Sequence, residues 1–167
     1  GNSVKIWYDG EIKPGTRWNN EIKIHLEQAD IILLLMSANS LASNYFHTKE
    51  MEAALKRHEQ NTAMVIPVIL SACPWGRVKQ LNDLQTLPEN AVPIDDWPNK
   101  ANAYNMIEKG IYKSLPKARA NKAERIKKYL EQAIEALEQK KYKECINYAE
   151  KALQIDSNNE PVSYTHL

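Results

Sequence analysis

One glutamate stands where a carboxylate could do chemistry. Glu50 lies within the stretch HTKEMEAAL, whose apolar spacing predicts a helix over residues 46–58. The helix dipole favours an ionised carboxylate near the start of a helix. Glutamate is also common there for structural reasons alone, and the residue pattern by itself favours that plain role. Glu52 lies two residues further on and therefore points to a different side of the predicted helix.

Several residues near Glu50 could bind a ligand. Phe46 precedes Glu50 by one turn, with Tyr45 beside it, and such an aromatic ring either stacks on a ligand or packs in the core. Ser37 and Asn39 directly follow a continuously apolar run. In α/β folds ligands bind at the carboxyl ends of strands, which makes these two polar residues candidates, although ordinary loop capping remains the alternative.

Other chemistry finds little support in the sequence. The four histidines show no metal-ligand spacing with the two cysteines, so no metal site is expected. The five glycines form no phosphate-binding loop, and no Ser/His/Asp order with a nucleophile elbow is present. The net charge of +1 gives no general attraction to nucleic acid or to anionic membranes. The basic residues 117–128 have almost no interleaved aromatics, which favours a solvated segment.

Length and composition indicate an ordinary soluble protein. The 167 residues suit one or two small domains, and 43% hydrophobic residues are enough for a buried core. The two cysteines lie far apart in sequence, which suits a reducing cytoplasm. The longest apolar run, residues 31–36, is too short to cross a bilayer. These features predict a cytoplasmic location without a membrane anchor.

The elements that must position these residues alternate between strand and helix. Strands are predicted over residues 4–8, 31–36 and 63–70, the last interrupted by a proline that suits an edge strand. Helices are predicted over residues 18–28, 46–58 and 99–115. This order predicts an α/β fold with a doubly wound parallel sheet. Such a domain usually has four or five strands, so an element is expected to be missing before residue 4.

The remainder of the chain reads as a helical hairpin. Residues 116–123 are basic, start with a proline and are predicted to be a linker. Two amphipathic helices, over residues 122–140 and 142–155, follow with a connection so short that they must run antiparallel.

The first 115 residues resemble a TIR (Toll/interleukin-1 receptor) domain of the bacterial type. Four stretches carry the resemblance, in the family's order: WYDGEIKPGTRW, ADIILLLMSANSL, YFHTKEMEAAL and DDWPNKANAY. The resemblance implies the flavodoxin-like TIR fold. A TIR domain opens with a strand similar to "FISY" and a first helix, and neither is present here. That strand is central in the family's sheet, so this chain alone is expected to lack part of the ligand pocket and to be inactive.

The resemblance also implies an activity. TIR domains of this type often cleave NAD+, which is then the substrate, and no separate cofactor is expected. Glu50 matches the family's catalytic glutamate, and Phe46, Tyr45, Ser37 and Asn39 are the expected substrate contacts. The resemblance places the chain in bacterial defence or signal transduction.

A non-catalytic role in TIR–TIR assembly is the alternative. Pro14 and Gly15 match the tip of the family's BB loop, through which TIR domains assemble with one another. The same two residues are also typical of any surface turn. The two roles are compatible, because members of the family assemble before they cleave NAD+.

Residues 124–160 resemble a tetratricopeptide (TPR) repeat, which implies a protein partner. The stretch KYKECINYAEKALQIDSNN follows the second half of that repeat, and Ala133 takes the small-residue position of its first helix. Because a lone repeat cannot bury its apolar face, a longer array is expected in the intact protein. Residues 161–167 abandon the pattern and resemble read-through of a sequencing adapter, so they are expected to be non-native.

Overall fold

A parallel sheet and a long helical hairpin form the described part of the chain. The structure is a computed structural model, and it describes residues 4–15, 17–42, 49–157 and 162–165. The strands are β1 (Ile6–Tyr8), β2 (Ile31–Met36), β3 (Met64–Ile69) and β4 (Val162–Thr165). The α-helices are α1 (Trp18–Gln28), α2 (Ala38–Ala42), α3 (Lys49–Glu59), α4 (Lys100–Glu138) and α5 (Tyr142–Ser157). The mixed α/β class predicted from the sequence is confirmed.

The longest paired strands of the sheet are β2 and β3. They run parallel in a register from Ile31 opposite Met64 to Met36 opposite Ile69. Strand β2 has the sequence IILLLM and is buried on both faces, as its lack of polar alternation predicted. Strand β3 forms the outer edge of the sheet, which explains how Pro67 fits within it.

Helices cover the sheet on both faces. On one face Leu34 and Met36 of β2 pack in a core with Leu26 of α1 and Met51 of α3. On the other face Ile31 and Leu33 of β2 share a second core with residues of the first half of α4, including Ala103, Leu115 and Ala118. The alternation of neighbouring β2 side chains between the two cores follows from the two-residue period of a strand.

Strand β4 lies inside the sheet, between β1 and β2. The resemblance implies that a central strand of the sheet is missing. Strand β4 pairs parallel with both neighbours, with Val162 opposite Ile6 on one side and Ile31 on the other. The expected gap in the sheet is therefore filled in this structure, by residues of the tail expected to be non-native. The segment VSYT is rich in β-branched and aromatic residues, and it supplies partners to backbone groups of β1 and β2 that need them.

Helix α4 corrects the prediction of a linker. The helix is continuous from Lys100 to Glu138, and it includes residues 116–123 with Pro116 inside it. Leu115 and Ala118 on either side of the proline are buried against the sheet. Their burial keeps this stretch helical although Pro116 cannot donate a backbone hydrogen bond.

The predicted antiparallel hairpin is confirmed. The second half of α4 packs against α5 through small side chains, with Ala133, Ala136 and Ala152 all buried. The turn between the helices contains Lys140 at φ 60°, a left-handed conformation of the kind that ends many helices.

Candidate functional site

Glu50 lies in a groove between α1 and α3. Its side chain is half-buried, in the first turn of α3. The groove has a volume of about 250 Å³ and a largely apolar wall. The lining residues are Asn20, Lys23, Leu26, Glu27, Lys49, Glu50, Ala53, Ala54 and Arg57. The volume is slightly below the roughly 300–1,000 Å³ of ordinary ligand pockets.

The charges along α3 suit the helix dipole. Glu50 and Glu52 lie in the first turn, whereas Lys56, Arg57 and His58 lie in the last. Glu52 is exposed and does not line the groove, in agreement with the prediction that the two carboxylates point to different sides. Of the two carboxylates in this turn only Glu50 lines the groove, and the exposed Glu27 of α1 is a second carboxylate in its wall. An ionised carboxylate beside an apolar wall can stabilise a positive charge that develops on a bound molecule.

Ser37 is engaged in a local network at the end of β2. Its backbone N–H donates to Oγ of Ser40 at 2.8 Å, and its Oγ accepts the N–H of Ser40 at 3.1 Å. The Ser40 hydroxyl in turn donates to the Ser37 carbonyl at 2.9 Å. These bonds support the capping role that the sequence left open for Ser37. Asn39 is exposed on α2, beside this network.

Pro14 and Gly15 form an exposed turn between β1 and α1. Gly15 has φ +89°, and no heavy atom lies within 4 Å of where a Cβ would be. The left-handed backbone explains why glycine is suited to this position, since other residues are strained there. The predicted contacts Tyr45 and Phe46 lie outside the described residues.

A half-buried polar cluster joins the α/β part to the hairpin, and sequence reasoning missed it. Arg57 of α3 donates to the carbonyl of Leu26 and, at 2.7 Å, to the carbonyl of Thr62. Arg125 of α4 donates to the same Thr62 oxygen at 2.8 Å. These partners are up to 63 residues apart in the chain, so no local pattern indicates them.

Asp30 and Lys122 complete this cluster. Asp30, between α1 and β2, is 8% exposed, and its Oδ2 lies 3.6 Å from Nζ of Lys122. Burial raises the pKa of Asp30 above its usual range, against the opposing effects of Lys122, Arg125 and Arg57. Burial, together with the charge of Arg125, lowers the pKa of Arg57 to about 10, so Arg57 stays charged at neutral pH.

The described residues contain no group of three or more His, Cys, Asp or Glu side chains that could hold a metal ion. Among the described helices none is long and apolar enough to cross a membrane.

Comparisons with known proteins support the resemblance seen in the sequence. The profile of the TIR domain family matches residues 1–103. A curated relative, the uncharacterized protein y4lF of Sinorhizobium fredii, is 36% identical over 108 residues, which cover 65% of this chain and 33% of the relative. The chain thus spans about a third of the length of that relative. No solved structure matches the chain significantly. Because the profile covers more than half of the sequence, the chain belongs to the TIR domain family.

Proposed function

We propose that the intact protein hydrolyses NAD+ and that Glu50 is its catalytic carboxylate. The observation that carries the proposal is the place of Glu50, half-buried at the start of α3 in a groove with an apolar wall. The family assignment supports the same reading, since TIR domains of the bacterial type include NAD+ hydrolases.

The proposed reaction needs one carboxylate and no metal or further cofactor. The bond between the nicotinamide nitrogen and the ribose carbon breaks, and nicotinamide leaves as a neutral molecule with the bonding electron pair. The ribose carbon passes through an oxocarbenium-like transition state, as in glycoside hydrolysis. The Glu50 carboxylate stabilises that positive charge. Water then adds to the same carbon and loses its proton to solvent, which gives ADP-ribose.

The groove offers room for the reacting end of the substrate. Its volume of about 250 Å³ suits the nicotinamide ring with its ribose, and the apolar wall suits the flat ring. We place Phe46 and Tyr45 as stacking contacts and Asn39 as a polar contact. We propose Ser37, at the carboxyl end of β2, as a further substrate contact; its hydroxyl also accepts the backbone N–H of Ser40 in α2.

The proposal is tested by following nicotinamide release from NAD+ by the intact protein. Glu50→Ala should abolish the release, whereas Glu52→Ala, an exposed neighbour in the same helical turn, should leave it close to the wild-type rate. Activity that persists in Glu50→Ala would overturn the assignment.

A second candidate function is TIR–TIR assembly, which the exposed Pro14-Gly15 turn favours. If assembly is the whole function, the intact protein binds another TIR domain and turns over no NAD+ even when forced to oligomerise. Replacing Gly15 by valine strains the left-handed turn and should then weaken self-association, measured by analytical ultracentrifugation. Unchanged self-association in this variant would contradict a role for the turn.

The wider architecture is also part of the proposal. The TIR domain spans residues 1–115 as a flavodoxin-like sheet whose first strand belongs in the position held here by β4. We propose residues 124–160 as a TPR repeat that binds a protein partner. We propose that residues 161–167 are non-native. We further propose that the protein acts in the cytoplasm in bacterial defence. A crystal structure of the intact protein with no further helical pair stacked on α5 would contradict the TPR reading.

A further inference from the structure

A cleft separates the α/β part from the helical hairpin. It consists of two adjoining cavities of about 370 and 700 Å³, which share Glu27, Arg125 and Tyr129 in their walls. Helix α1 lies on one side of this hairpin cleft, and α4 and α5 lie on the other. The volumes are those of ordinary ligand pockets. The cleft is distinct from the Glu50 groove, although Glu27 and Arg57 line both.

Two like charges converge at the base of the hairpin cleft. Arg57 and Arg125 donate to one carbonyl oxygen, that of Thr62, at 2.7 and 2.8 Å. Two guanidinium groups so close together repel each other, and the charge of Arg125 contributes to the lowered pKa of Arg57. The buried Asp30 nearby is already paired with Lys122. The cluster holds three cations, Arg57, Arg125 and Lys122, against the buried Asp30 and the exposed Glu27, whose charge also acts on Arg57. An anion bound there would relieve the remaining repulsion.

Aromatic rings line the same cleft. The rings of Tyr129 and Tyr148 have centroids 6.4 Å apart with 25° between their planes. Nζ of Lys151 lies 5.8 Å from the Tyr129 centroid and 5.4 Å from the Tyr148 centroid, and Lys151 lines the cleft beside Tyr129. A flat ring can therefore stack here within reach of positive charge. Besides Asp30, the lining contains two acidic residues, Glu27 and Glu124. Both are exposed at the surface, where solvent screens their charge.

We infer that the hairpin cleft binds a small phosphorylated molecule with an aromatic ring, of the class of nucleoside monophosphates. The phosphate lies against Arg57 and Arg125, and the ring lies against the tyrosines of the hairpin. Such a ligand contacts α1, α3 and the hairpin together, and it joins the two parts of the molecule. This site goes beyond the proposed function and does not depend on NAD+ hydrolysis.

Titration calorimetry with AMP, adenosine and inorganic phosphate tests the inference. AMP should bind the wild-type chain at one site. Adenosine and inorganic phosphate should each bind at least about tenfold more weakly than AMP, since the charge-assisted bonds and the stacking contribute separately. Adenosine or phosphate that binds as tightly as AMP would overturn the stated ligand class. Absence of saturable AMP binding would overturn the site.

Matched variants locate the binding. Arg125→Gln should weaken AMP binding about ten- to a hundredfold, because a hydrogen bond to a charged group is lost. Lys151→Gln, on the exposed side of α5, tests the same cleft without touching the Thr62 contact. Lys127→Gln is the control, since this lysine is on α4 but pairs with Glu131 at the surface. Wild-type AMP affinity in Arg125→Gln and Lys151→Gln as well as in Lys127→Gln would contradict a site in the hairpin cleft. Loss of AMP binding in Glu50→Gln would contradict it too, because it would place AMP in the Glu50 groove.

Discussion

His58 protects the outer edge of the sheet. Its Nδ1 accepts the backbone N–H of Val65 at 2.9 Å, an N–H that points away from the neighbouring strand β2. Pro67 has no N–H to offer, and Leu87 pairs with the rest of this edge through bonds to the Pro67 carbonyl and the Ile69 N–H. An edge without unpaired donors does not recruit a foreign strand.

This contact predicts a loss of stability in mild acid. Burial, and then the charge of Lys117, lower the pKa of His58 below 6.5, against an opposing effect of Glu59. The unfolded chain therefore binds more protons just below pH 6.5, so the free energy of unfolding falls as the pH drops through that region and levels off below the folded pKa. Denaturant titrations above and below pH 6.5 measure the fall.

His58→Ala should remove this part of the pH dependence and cost about 1–3 kcal/mol at neutral pH, since the Val65 N–H loses its partner. His25→Ala is the matched control, because that imidazole lies on α1 and stacks on Trp7. An acid-induced loss of the same size in His58→Ala and wild type would show that His58 is not its cause.

The sequence predicted the site residues unevenly. Glu50 could be placed at a helix start because its local pattern is helical, and the structure puts it there. The shared Thr62 carbonyl of Arg57 and Arg125 could not be predicted, because it depends on how distant elements pack. The role of Ser37 could not be predicted either, since a serine after a strand suits a helix cap and a ligand contact equally; in the structure it bonds with Ser40.

At the scale of elements, α4 shows how packing overrides a local signal. Pro116 and its basic neighbours predicted a break, whereas the helix passes through them because Leu115 and Ala118 are buried. The strands were easier to predict. A run such as IILLLM has no polar face to expose, and an edge position allows the proline of β3.

Replacing Pro116 by alanine should stabilise the protein. Pro116 is exposed, so the change opens no cavity, and it restores a backbone donor in the middle of α4. A proline inside a helix costs about 3 kcal/mol, part of which it recovers by restricting the unfolded chain, so we expect a gain of about 1–2 kcal/mol. Urea titration measures the gain, with Lys117→Ala as the control at the next exposed position. A loss of stability in Pro116→Ala would contradict a continuous helix.

At the scale of the whole molecule, the sheet depends on β4. This strand pairs with β1 and β2 at once, so it connects the first strand to the rest of the sheet. Without β4, both neighbours would expose an unpaired edge in the middle of the fold. The order of the strands could not be predicted from the sequence, because four residues at the far end of the chain supply the central strand.

A proline in β4 should therefore destabilise this chain. Ser163→Pro removes a backbone N–H from a strand that is paired on both sides, and prolines are not tolerated there. We expect a lower melting temperature and more light scattering, while Ser163→Thr keeps the donor and should melt as the wild type does. Equal melting of Ser163→Pro and wild type would show that β4 does not hold the sheet together.

The Glu50 groove and the hairpin cleft share part of their walls. Glu27 and Arg57 line both the Glu50 groove and the hairpin cleft, and Arg57 lies on the same helix as Glu50, two turns away. The Asp30–Lys122 pair fixes α4 against the same corner of the sheet.

Steady-state kinetics of nicotinamide release show whether Glu50 does the chemistry in the groove. Glu50→Gln keeps the shape of the side chain and removes its charge, so kcat of the intact protein should fall on the order of 10²–10³-fold with little change in KM. Glu52→Gln, with its side chain exposed outside the groove, should keep the wild-type kcat. Equal kcat values for Glu50→Gln and wild type would show that Glu50 is not the catalytic carboxylate.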